Sequence, residues 1–131
     1  VAAAVGAVIK QDKQILLAKR KNDPKKGFLD FPGGFVEPGE TGEEAVVREI
    51  KEELNITNIT KIEYITTFPN TYNYSGLDVP ILDLYFCLEG ELTNLRPADD
   101  VEEVVFKRIE DISKEDLAFE SNYKILEFIK K

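Results

Sequence analysis

The order of elements along this chain predicts an α+β fold with a mixed sheet packed between helices. Three observations carry that expectation. Strand-like segments rich in Val, Ile, Phe and Tyr recur along the whole chain. One helix is marked at both ends by capping residues. A second helix-like segment closes the chain, well separated from the first.

The first ten residues, Val1–Lys10, read as a strand, and Gln14–Lys19 (QILLAK) reads as its partner across the turn Gln11-Asp12-Lys13. A polar loop, Lys21–Lys26, follows. Phe28–Phe31 is short and apolar, and Pro32-Gly33-Gly34 interrupts it. Phe35-Val36 returns briefly to extended structure before Glu37-Pro38-Gly39 turns the chain. The clearest helix starts at Thr41, an N-cap with Glu44 three residues later, the spacing of a capping box. Val47, Ile50 and Leu54 recur on one helical stripe. Asn55 is placed to end the helix, since Asn accepts the left-handed conformation. Lys61–Phe68 and Val79–Leu88 read as strands, with a loop rich in Tyr, Asn and Gly between them. Val101–Arg108 contains the strand-like VVFKR, and Phe119–Lys131 has helical spacing at Tyr123, Leu126 and Phe128 or Ile129.

Composition narrows the chemistry. At 131 residues the length suits one domain. Without any His there can be no Ser-His-Asp or Cys-His machinery and no His-ligated zinc. Cys87 is the sole cysteine and sits in the apolar run ILDLYFCL, which reads as a buried structural thiol. A lone cysteine fits a reducing, cytoplasmic compartment. The formal net charge of −8 argues against nucleic acid as a partner. No apolar run is long enough to cross a bilayer, so no membrane partner is expected. No basic n-region precedes an apolar h-region, and the start at Val1 inside a strand-like run leaves room for an upstream segment.

The chemistry-bearing segment is contiguous. On the expected helix Glu49, Glu52 and Glu53 stand at i, i+3 and i+4, so their side chains share a face. Like charges at that spacing repel. A divalent cation reverses the sign, and hard Mg²⁺ prefers carboxylate oxygens together with substrate phosphates. Just upstream, Gly33 and Gly34 permit close backbone approach, and Glu40 lies before the helix N-terminus. Taken singly, an acidic helix face reads as solvated surface and a Gly pair as a turn.

Their joint spacing is more specific. Gly34–Ile56 fits G-x5-E-x7-R-E-U-x-E-E-x-G-U, with U a bulky aliphatic, at every specified position except Asn55, which replaces Gly. A chance match has a probability on the order of one in 10⁵. The segment resembles the Nudix box, and the chain resembles the Nudix hydrolases. GFLDFPGGFVEPGE and AAAVGAVI are most similar to the subgroup of NADH and ADP-ribose pyrophosphatases, some of which carry a zinc ribbon just upstream. The downstream SQPWPFP signature of NADH pyrophosphatases is absent, and TTFPNTYNYSG stands there instead.

The resemblance implies a Nudix-type α/β/α sandwich over residues 1–131 and Mg²⁺-dependent hydrolysis, with Mn²⁺ as the other metal. Glu49, Glu52 and Glu53 would hold the metal, with help from the Gly33 carbonyl. Glu40 would support it through hydrogen bonds or water. Arg48 would orient Glu49. For the general base the candidates are Asp99, Asp100, Glu102 and Glu103, with Glu103 and Glu102 preferred; Glu52 could itself act as base. Tyr72 and Tyr74 are candidates for stacking on a base, and Phe28 and Phe31 for lining the pocket. The substrate expected is a nucleoside diphosphate linked to another moiety, first ADP-ribose or a related sugar. Alternatives are nucleoside triphosphates, dinucleoside polyphosphates, or a ligand sensor without turnover, which would be expected to lose box carboxylates. A homodimer is compatible with the sequence.

Overall fold

The computed structural model describes residues 1–130. Strands are β1 (Ala2–Gln11), β2 (Gln14–Arg20), β3 (Leu29–Asp30), β4 (Gly33–Phe35), β5 (Ile59–Tyr74), β6 (Leu77–Gly90) and β7 (Val101–Arg108). Helix α1 (Gly42–Leu54) lies between β4 and β5, and α2 (Glu120–Ile129) follows two short 3-10 turns. Lys131, the last residue of the expected terminal helix, lies outside the described residues.

β1 is the organising strand. It pairs in parallel with β6 from Ala2↔Ile81 to Ile9↔Leu88, and antiparallel with β4 through Ala4↔Phe35 and Gly6↔Gly33. Its far end turns into β2, which in turn carries β3 and β7. The sheet is therefore mixed, as expected from the sequence. Period-two alternation sends side chains to two cores. Val5, Ala7, Ile9, Leu16, Phe86 and Leu88 pack with α1 residues Val46, Ile50 and Leu54. Val8, Ile15, Leu17 and Tyr85 pack with Ile125 and Leu126 of α2. A helix covers each face, which is the α/β/α sandwich.

Helix α1 begins and ends where the sequence places its signals. Thr41 Oγ1 accepts from Glu44 N–H at 3.1 Å, and Glu44 Oε1 accepts from Thr41 N–H at 2.9 Å, which completes the capping box. Asn55 takes φ 59°, the left-handed conformation. The buried stripe is Val46, Ile50 and Leu54, with Val47 half-buried. The stripe is thus centred one residue from the expected Val47, because the helix also buries Ala45 and Glu53. Burying one such aliphatic side chain stabilises the fold by about 1.5–3 kcal/mol.

One segment differs from expectation. Residues 69–78 are not a loop but the end of a long hairpin, in which β5 and β6 pair as far as Tyr74↔Leu77. Ser75 and Gly76 have φ of 51° and 82°. Two successive positive φ values suit the tight two-residue turn that matches strand twist. Asn73 Nδ2 also donates to Asp78 Oδ1 across the hairpin at 3.0 Å. Cys87, expected to be buried, is a half-buried free thiol on β6.

Candidate active site

The site forms where β4 meets α1. Gly33 pairs so closely with β1 that a Cβ would sit 1.9 Å from the Val5 carbonyl oxygen. A Cβ on Gly34 would lie 2.6 Å from the Glu49 carboxylate. The two glycines therefore let the strand run directly against the acidic helix. Gly33 N–H donates to Glu53 Oε1 at 3.0 Å.

The helix presents its acids unequally. Glu53 is 8% exposed and belongs to the buried stripe. The Glu49 side chain is largely buried, whereas that of Glu52 is half-exposed. Arg48 collects the others. Its Nε donates to Glu40 Oε2 at 2.6 Å and its Nη2 to Glu40 Oε1 at 2.9 Å. Its Nη1 donates to Glu49 Oε1 at 2.8 Å and to Glu52 Oε2 at 3.4 Å. Glu37 completes the set at 3.4 Å, and the Phe35 carbonyl accepts at 3.1 Å. Both Glu40 oxygens are thus taken, Oε1 also accepting from Glu37 N–H. Glu40 holds Arg48, and Arg48 holds Glu49.

The electrostatics follow from this distribution. The hydrogen bonds from Arg48 and from Glu37 N–H pull the Glu40 carboxyl down to about 2. The hydrogen bond to Glu40 holds the Arg48 guanidinium protonated even more firmly than usual. Glu49 is pushed up by burial, against the pull of Arg48. Burial pushes Glu53 up to about 9, and the Glu49 charge adds to the shift. Glu53 is a buried acid with one backbone donor and no cationic partner in these contacts. Desolvated carboxylates this close fit a hard divalent cation, which replaces repulsion with coordination. Among the described residues no group of three acidic side chains converges on one point; Glu49 and Glu52 lean on Arg48 instead.

Glu53, Gly33 and Gly34 line a cleft together with residues of β6 and α2. Arg20, Asp30, Tyr72, Asp83, Phe119 and Asn122 line the rest. The wall is aromatic. Tyr72 meets Phe35 edge-on at 5.7 Å and lies tilted against Phe119 at 5.7 Å, and the Arg20 guanidinium sits 5.0 Å over the Phe119 ring. Arg20 is fixed by Asp30 at 3.1 Å and by the Pro24 carbonyl at 2.7 Å.

Of the residues singled out from the sequence, the structure brings Gly33, Glu53, Tyr72 and Phe31 to the cleft. Tyr74 does not reach it: at the hairpin tip it is 64% exposed. Phe28 is also outside, lying under the Lys25 ammonium at 5.4 Å. Glu102 pairs with Lys19 at 3.5 Å on the exposed side of β7, and Glu103 stands in register with Lys19. Neither lines the cleft, whereas Asp100 does. The charge of Asp99 bears on Glu49 and that of Asp100 on Glu53. Sequence reasoning missed Arg20, Asp30, Asp83, Phe119 and Asn122. A signal existed for Asp83: an acid between Ile81 and Tyr85, on the face of β6 that otherwise carries core residues.

Comparison with known proteins gives the same picture. The NUDIX domain family matches residues 1–128. The chain is 38% identical over 131 residues to an ADP-ribose pyrophosphatase of Methanocaldococcus jannaschii, a match covering 98% of this chain and 73% of that one. The MutT NUDIX hydrolase of Burkholderia pseudomallei superposes with a TM-score of 0.80 at 27% identity, over 96% of this chain and 95% of that one. The NUDIX domain of Shewanella oneidensis NrtR, solved with ADP ribose, shares the fold at a TM-score of 0.77 and 22% identity, over 98% and 85% of the two chains. With the box, the sandwich and these likenesses together, the chain belongs to the NUDIX family of hydrolases, which work with a divalent metal.

Proposed function

We propose that this chain hydrolyses the pyrophosphate bond of ADP-ribose or a related nucleoside diphosphate sugar in the cytoplasm, with Mg²⁺ held by Glu49, Glu52 and Glu53. Residues 1–131 act in this reading as one domain. The observation that carries it is the position of Glu53. A buried carboxylate, strapped to Gly33 N–H, lines a cleft that also carries the aromatic rings of Tyr72 and Phe119. That combination suits a ligand that carries both a diphosphate and a base.

The cation, when bound, supplies charge stabilisation at the phosphoryl oxygens and a lowered water pKa. The chain's own residues do the rest. Glu40 and Arg48 fix the Glu49 carboxylate by charge-assisted hydrogen bonds. Gly33 N–H keeps one Glu53 oxygen in place and leaves the other free. Asp100 lines the cleft, whereas Glu102 and Glu103 do not, so it is better placed to accept a proton from attacking water. Tyr72 and Phe119 offer faces for the base. All box carboxylates are retained, which favours turnover over sensing.

The test is a substrate panel in Mg²⁺ with chromatographic identification of products. ADP-ribose should yield AMP and ribose 5-phosphate, with a higher kcat/KM than ATP or GTP. Preferred cleavage of triphosphates with release of pyrophosphate would overturn the substrate. No Mg²⁺-dependent cleavage of any nucleotide would overturn the reaction.

A further inference from the structure

We propose that Asp83, with Asp30, forms a base-reading floor in the cleft that selects nucleotides whose base carries an exocyclic amino group. The inference rests on the pyrophosphohydrolase reading and names what sets its specificity.

Asp83 is out of place as a core residue. On β6 it lies between Ile81 and Tyr85, both at most 4% exposed, and shares their face. An acid on an inward face breaks the strand's apolar pattern, and such breaks concentrate at functional sites. Here it lines the same cleft as Glu53.

The hydrogen bonds around it have a single direction. Ser121 Oγ lies 2.6 Å from Asp83 Oδ2 and has one proton to give. Ser121 must therefore accept from Tyr85, whose hydroxyl is 3.0 Å away. Tyr85 in turn accepts from Asn122 Nδ2 at 3.3 Å, and the same Nδ2 donates to Asp30 Oδ1 at 2.9 Å. Asn70 Nδ2 adds a bond to Asp83 Oδ2 at 3.2 Å. Ser121 and Asn122 are 1% and 2% exposed, so this relay is built into the core. Its donors are spent on holding two carboxylates. Asp83 Oδ1 receives no hydrogen bond from the described residues.

The floor thus offers acceptors. Burial pushes Asp83 upward, as for a carboxylate poorly served by water. A ligand that brings N–H donors satisfies it; one that brings a carbonyl leaves an acceptor facing an acceptor. An adenine edge carries an amino group with two N–H bonds. The hypoxanthine edge carries a carbonyl at that position. Tyr72 and Phe119 supply the stacking surface beside the floor, which is tolerant of any base.

The experiment compares ADP-ribose with inosine diphosphate ribose, and AMP with IMP as inhibitors of the wild-type protein. ADP-ribose should have a kcat/KM about tenfold or more above that of the inosine analogue. AMP should inhibit more tightly than IMP by a similar ratio. Asp83→Asn, whose amide presents a donor as well as an acceptor, should bring the kcat/KM ratio to within about threefold of one. Should that variant fail to fold, Ser121→Ala removes one hydrogen bond to Asp83 and should lower the ratio part of the way. Equal cleavage of both sugars, equal inhibition by AMP and IMP, or an unchanged ratio in Asp83→Asn overturns the floor. If neither sugar is cleaved while AMP still binds better than IMP, the floor stands and the hydrolase reading falls.

Discussion

One group of carboxylates is gathered on α1, the helix whose Glu53 reaches the cleft, and another lines the cleft itself; they are held in opposite ways. On the α1 side a single guanidinium binds Glu37, Glu40, Glu49 and Glu52 together. On the β6 side the donors to Asp83 are the neutral Ser121 and Asn70, and Asp30 accepts from Asn122 and from one cation, Arg20. The first arrangement gathers acids on long side chains around one cation. The second fixes short side chains rigidly from a packed core. Longer Glu stems can re-aim toward a cation, while short Asp stems can only present what they already face. The difference teaches that one acidic group is built to reorganise around its ligand and the other to judge it.

Five substitutions break or sharpen that contrast. Glu52→Gln and Glu53→Gln should each lower kcat at least ~10²-fold, because each removes charge stabilisation from the transition state. The Glu53 change should also raise the denaturant midpoint of the metal-free protein at pH 7, since the wild-type carboxyl, pushed up to about 9, must take up a proton on folding and Gln need not. Near wild-type turnover in both variants at saturating Mg²⁺ would remove the metal from these residues.

On the other side, burial pushes Asp30 up to about 6 despite Arg20. A raised carboxyl binds its proton more tightly in the native state than in the unfolded one. Its contribution to stability is therefore largest below pH 4 and declines as pH rises to about 6. From 3.8 to about 6, the decline is on the order of 2–3 kcal/mol. Asp30→Asn should lack it, which a series of denaturant melts between pH 4 and 7 would show as a difference in slope from wild type. Parallel slopes would mean that Asp30 titrates normally.

The smallest effect separates two tyrosines two residues apart. Tyr72→Ala should raise KM about tenfold, by loss of a stacking face worth roughly 1–3 kcal/mol. Tyr74→Ala, at the exposed hairpin tip, should leave kcat and KM within about twofold. Equal losses in both would place the base outside the cleft.

These contrasts also explain what the sequence could reveal. The box was legible because its residues are neighbours in the chain and a helix repeats every 3.6 residues. The capping box and Asn55 were legible for the same reason: caps are local chemistry. The floor was not, because Asp30 and Asn122 are 92 residues apart and meet only after β3, β6 and α2 have packed. Pro, Asn and Gly in residues 69–78 spelled a loop by composition, yet cross-strand pairing with β6 extended the hairpin through them. Pro69 is tolerated there because β5 is an edge strand. Tyr72 and Tyr74 looked equivalent by spacing. They share one face of β5, but Phe35 and Phe119 reach only the first.

The end of α1 has a further consequence. Its last carbonyls are met by the segment leading to Asp99 and Asp100: Arg96 N–H donates to Leu54 O at 3.0 Å, and Ala98 N–H to Glu53 O at 2.8 Å. Asn55 Nδ2 adds a bond to Asn94 O at 3.0 Å. A segment with no regular structure of its own is thereby stitched to the helix that bears the box. In hydrogen-exchange terms, the amides of Arg96 and Ala98 should open together with the final turn of α1 as one cooperative unit, rather than at the rate of a surface loop. The acids Asp99 and Asp100 and the acids on the helix then share one opening equilibrium, so whatever frays the helix end disperses both at once.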